Sequence, residues 1–182
     1  PNGNVFVGGF FVSTISFDGL ELHSTTPENG DAFVVKYAPD GNVLWAKNIG
    51  GEDGEIASCE TDSFGNVYLA GMFFSKIVAT EKGQLSNNGM INSFIAKYDA
   101  NGKLLWIKSA GGNNGDGPAT VTREFYMDNH GNAFCTGSNW SSFSFAGKTI
   151  QPVAESEDIL LLKYDQNGNE LAPSTTQKIT FS

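Results

Sequence analysis

Short apolar runs alternate with glycine-rich polar turns along this chain, and no window holds a helical apolar period over ten or more residues. The pattern predicts strands. Residues 4–10 alternate, with Val5 and Val7 on one face and Phe6 on the other. A variable excursion over 11–24 reads as a short hairpin turning at Asp18-Gly19, and 25–30 as a polar loop. Residues 32–37 and 43–47 read as strands joined by Ala38-Pro39-Asp40-Gly41-Asn42, where Pro39 presets the turn and Gly41 supplies a positive φ.

The pattern then repeats. GNVFVGG, followed by DAFVVKYAPDGNVLWAKNIGG, returns as GNVYLAG with NSFIAKYDANGKLLWIKSAGG, and again as GNAFCTG with DILLLKYDQNGNEL. The copies start at Gly3, Gly65 and Gly131, 62 and then 66 residues apart. The second is complete, with strands expected at 55–61, 66–72, 93–98 and 103–108 around a long middle excursion. The first lacks the strand before its opening turn. The third has strands at 119–127, 132–137 and 159–164, but its fourth strand is expected to fail. ELAPS stands where the others have VLWAK and LLWIK, and Pro173 cannot donate to a ladder. Gly50-Gly51 and Gly111-Gly112 mark where the chain passes from one unit to the next.

Repeats of this period are supersecondary units that cannot each bury an apolar face alone. Four-stranded antiparallel meanders at a fixed period stack radially, so the expected fold is all-β: a β-propeller segment of about two and a half to three blades. Burial on both faces explains the nearly continuous apolar character of FVVKY and ILLLKY. Rings of this kind hold about 4–8 blades. Three blades alone leave open sheet edges, so a larger ring is expected, with upstream chain supplying the missing strand of the third repeat. Blades are assigned to 1–171, a linker to 172–177, and the first strand of a following module to 178–182 (KITFS).

Composition narrows the partners. The net charge of −9 rests on 20 acidic against 11 scattered basic residues, which argues against a nucleic-acid backbone as ligand. Lys36, Lys97 and Lys163 simply recur at one repeat position. No apolar run of 18 residues is present, so no transmembrane helix is expected. Cys59 and Cys135 read either as two separate buried thiols or as a disulfide between strands of different repeats.

The repeat text resembles the seven-bladed β-propeller repeats of secreted bacterial proteins, often from Bacteroidetes, over residues 3 to about 171. The ending QKITFS is similar to the opening strand of immunoglobulin-like modules in giant surface adhesins, those of gliding bacteria among them. Together these resemblances imply a long cell-surface protein exported by a type IX route, with the propeller followed by a stalk. Its implied partners are a surface polysaccharide or protein ligand and the secretion or anchoring machinery.

Candidate chemistry is sparse. Trp45 and Trp106 share one repeat position and read as blade packing. Trp140 differs: it stands in GSNWSSFSF, where the strand gives way to the variable excursion. With Asn139 and Ser141 beside it, the ring could stack on a sugar while the polar neighbours bond hydroxyls. A loop aromatic tucked onto its own blade is the competing reading, and Asn139-Trp140-Ser141 also spells a glycosylation sequon. The acidic turns (Glu52–Glu55, 113–116 and 165–170) leave a structural calcium open, but none has the spaced calcium-loop pattern. Asp99 and Asp165 at turn entry are explained by side-chain-to-backbone bonding. No cofactor is expected.

His23 and His130 are the two histidines, no serine sits in a nucleophile elbow, and no His/Cys cluster has metal spacing. The expected function is therefore non-enzymatic: an adhesion module presenting the variable loops 11–30, 75–91 and 140–157 on a rigid scaffold. The alternatives are a cap or spacer in a surface filament and, less favoured, a polysaccharide-processing enzyme.

Overall fold

The structure is a computed structural model and describes residues 3–51, 55–74, 76–87, 90–111, 120–139, 142–151 and 158–172. The described residues are strands and turns, without helix. In the first blade, β1 (Val5–Phe11), β4 (Asp31–Tyr37) and β5 (Val43–Ile49) form a three-stranded antiparallel sheet, and β2 (Thr14–Phe17) pairs with β3 (Leu20–His23) as a separate hairpin. The second blade is a four-stranded sheet of β6 (Glu55–Thr61), β7 (Val67–Phe73), β10 (Asn92–Tyr98) and β11 (Leu104–Ala110) in chain order, with β8 (Ile77–Thr80) and β9 (Gly83–Ser86) as its hairpin. The third has β12 (Thr120–Met127), β13 (Ala133–Asn139), β16 (Asp158–Tyr164) and β17 (Glu170–Leu171), with the hairpin β14 (Phe143–Phe145) and β15 (Lys148–Ile150).

These antiparallel sheets are β-propeller blades, as the repeat predicts. Two details differ. The fourth strand of the third blade does form, but only as the two residues that pair Lys163 with Leu171 and Tyr164 with Glu170. Pro173 follows two residues later. All three excursions carry a hairpin, not the first alone. Of the linker expected at 172–177 and the following module expected at 178–182, all but Ala172 lies outside the described residues.

Cores form between blades. One face of the first blade (Ala32, Val34, Ile49 with Phe6 and Trp45) packs on the second blade's Val67, Leu69, Ala96, Tyr98 and Leu104. The opposite face of the second blade (Tyr68, Ala70, Ile95, Ala110) packs on Ala133, Cys135, Leu160, Leu162 and Tyr164 of the third. Each hairpin adds its apolar side: Val78 and Leu85 join the first interface, Phe143 and Phe145 the second. Ile15, Phe17, Leu20 and Leu22 pack with Phe33 and Val35 on the outer face of the first blade, where Val5 and Val7 stay exposed.

The cysteines fall in separate interfaces. Cys59 lies against Gly8 between blades one and two, and Cys135 between two and three; both are free thiols. Burial, with a smaller push from Glu60, raises the Cys59 thiol to about 11 against a lowering bond from Gly8, and burial raises Cys135 to about 12. Both thiols are thereby kept protonated and behave as small hydrophobes.

Candidate functional site

The sheets have two unlike ends. At the turn end, Asp62, Asp99, Asp128 and Asp165 each accept backbone N–H bonds two and four residues on: Phe64 and Asn66, Asn101 and Lys103, His130 and Asn132, Asn167 and Asn169. In three of them the second carboxylate oxygen takes the side-chain amide of Asn66, Asn132 or Asn169. Partial burial opposes charge on Asp128 and Asp165, but these bonds outweigh it and hold both carboxyls below their usual range. A lowered folded-state pKa gives stability that is present above the unfolded value of about 3.9 and lost as pH falls through the folded one. Urea midpoints should therefore drop below about pH 4, and Asp128→Ala/Asp165→Ala should be weaker at neutral pH with a shallower acid decline. Parallel pH profiles for the two proteins would refute this.

The turn end also joins the blades. Lys36 Nζ (2.6 Å) and Trp45 Nε1 (3.1 Å) both donate to the Ala100 carbonyl of the next blade. Lys97 Nζ and Trp106 Nε1, each at 3.1 Å, donate in the same way to Gln166 O. Each ammonium lies over an aromatic ring of its own blade, Lys36 on Phe6 (5.4 Å) and Lys97 on Tyr68 (4.8 Å). The indoles rest on Gly102 and Gly168, where a Cβ would collide with the ring. Both of these glycines also have positive φ. Trp45 and Trp106 thus pack between blades, and the recurring lysines, which the sequence showed only as a repeat, act as cross-blade donors.

The loop end is where the blades diverge. Asp31, fully buried at the start of β4, accepts bonds from Thr25 N, Thr25 Oγ1 and Asn48 Nδ2 and so ties down the 25–30 loop. A Cβ at Gly50 would land inside that carboxyl, and one at Gly111 inside Asn92, which takes the Asp31 position in the second blade. Here lies the physical reason for a glycine after the last strand of the first two blades.

Asn139 closes β13 of the third blade, where the first two blades place Phe11 and Phe73. It is 2 % exposed, and its Oδ1 has no hydrogen-bond partner among the described residues. Thr122, 8 % exposed, sits diagonally across on β12, and its Oγ1 is likewise unpartnered. A buried polar atom without a partner costs free energy that water or a ligand would recover. Both atoms are enclosed, on one face of the sheet at the loop end. Sequence reading found Asn139 but missed Thr122, which adjoins it only through the β12–β13 pairing. Trp140 and Ser141 lie outside the described residues. Among the described residues no group of three or more His, Cys, Asp or Glu side chains could hold a metal, and no helix is long and apolar enough to cross a membrane.

No protein-family model matches the chain. Over 81 residues it is 32 % identical to an uncharacterised WD repeat-containing protein of Acanthamoeba polyphaga mimivirus. That match covers 41 % of this chain and 6 % of the viral protein, so the chain spans a small fraction of the relative's length. WD repeats are propeller-type repeats. The similarity is compatible with the blade architecture and supports the fold; nothing about function comes with it.

Proposed function

We propose that the chain is a non-enzymatic adhesion module of a large secreted bacterial surface protein, of the Bacteroidetes type exported by a type IX route. Its ligand is a cell-surface polysaccharide or protein, recognised at the loop end of the blades. The observation that carries this reading is the contrast between the two ends. The turn end repeats closely and spends its ionisable groups on turns and blade contacts. At the loop end of the third blade, an aromatic position is taken by Asn139, which with Thr122 has a buried polar atom without a partner among the described residues. Structural repetition beside local divergence is the usual plan of a recognition scaffold.

The filament-spacer reading is favoured by a different observation: the hairpins in the variable excursions turn their apolar sides into the cores, which shrinks the free loop surface. A glycan array and intact-cell binding assay separates the two. Saturable binding that weakens at least about tenfold (1.4 kcal/mol) in Trp140→Ala or Asn139→Ala is expected. Absence of binding to any surface, from protein shown to be folded, would leave the spacer reading in its place.

A further inference from the structure

The two blade interfaces follow one rule. A blade offers an aromatic residue with a lysine above it, flanked by aliphatic side chains. The next blade receives them with paired aliphatic residues and a turn carbonyl. The outer face of the third blade repeats the offering half. Lys163 Nζ lies 4.9 Å above the Phe134 ring, as Lys36 and Lys97 do above theirs. Leu161 stands at the position of Val34 and Ile95, both buried in the other blades. Yet Leu161 is 50 % exposed, and beside it Ile159 is 62 % and Tyr126 65 % exposed.

The outer face of the first blade repeats the receiving half. Val5 and Val7 are 54 % and 43 % exposed, although their counterparts Val67, Leu69, Ala133 and Cys135 are buried. Pro39 occupies the turn position of Ala100 and Gln166, and Gly41 has open space where Gly102 and Gly168 carry an indole. The exposed parts of the two faces, Leu161 and its neighbours on the third blade and Val5 and Val7 beside the hairpin-covered Phe33 and Val35 on the first, are complementary halves of the same joint.

We propose that the exposed face of the third blade docks on the first blade of a second copy of this chain, head to tail, with Lys163 donating to the Pro39 carbonyl of that copy. The contact is heterologous, so it closes into a ring of copies or continues as a filament according to the rotation per copy. Ala172 stands where Trp45 and Trp106 donate in the other blades, so this joint lacks the indole bond and is weaker than the internal ones.

The test is sedimentation velocity of the 182-residue chain over a concentration series, with Leu161→Glu and Val7→Glu as separate variants. Both positions are about half exposed, so the fold should survive, and circular dichroism checks that it does. Wild type should associate with rising concentration, and each variant alone should stay monomeric. An equimolar mixture of the variants should form one-to-one pairs, since each retains the half that the other lacks. A wild type that stays monomeric throughout overturns the proposal and leaves the face to a further blade of a longer polypeptide. Association unaffected by both substitutions, or no pairing in the mixture, overturns it too.

Discussion

Lys97→Ala should lower unfolding stability by about 3 kcal/mol, at the lower end of what removing one member of a buried ion pair costs. The ammonium sits 3.5 Å from Asp62 Oδ2, and both side chains are almost wholly buried. It also covers the Tyr68 ring and donates to Gln166 O across the interface. Alanine therefore leaves a buried carboxylate short of its counter-charge and a neighbouring carbonyl short of a donor. Asp62 keeps its bonds from Phe64 and Asn66, which is why a larger loss is not expected. Urea unfolding gives the number. Asp62→Asn/Lys97→Met should recover part of the loss, because removing both charges leaves none unpaired. A single-variant loss under about 1 kcal/mol, the range of exposed pairs, would mean that the pair is solvated in solution.

Gly50→Ala should cost about 3 kcal/mol, the upper range for overpacking a tight site. The added methyl would enter the Asp31 carboxyl, and that carboxyl cannot step aside without giving up its bonds to Thr25 and Asn48. Gly111→Ala meets Asn92 in the same way, but the Asn92 Oδ1 has no partner among the described residues and is held by less. The cost at Gly111 should therefore be smaller. In a double-mutant cycle, Asp31→Ala/Gly50→Ala should fall well short of the sum of the single losses. Strict additivity would show that the clash is relieved elsewhere.

The strands were legible because their signal is local. Alternation and turn glycines placed Glu55–Thr61 as it stands and the other major strands to within a residue or two. The hairpins of the second and third excursions were not, and the reason lies in their turns. The first turns at Asp18-Gly19, a pair that accepts positive φ readily, whereas the third puts Ala146 at φ 51 before Gly147. Alanine carries no such signal. The β16 text reads as buried on both faces, yet Ile159 and Leu161 are exposed, because no further blade among the described residues covers that face. The candidate site was half legible. Asn139 stood out as a polar neighbour of Trp140, but the company of Thr122 depends on strand pairing, which no local pattern carries.

The acceptors in the cross-blade joint are main-chain carbonyls, those of Ala100 and Gln166. A backbone oxygen is the same whichever side chain its residue bears. The joint therefore asks the receiving blade for a turn geometry and a bare glycine, and leaves the residue at the contact unspecified, as alanine and glutamine at equivalent positions illustrate. A blade copied and inserted elsewhere in such an array would find its neighbours already compatible, with no compensating substitution needed. Duplication could lengthen or shuffle the array while the loop ends drift apart, and the joint would impose no penalty on either process.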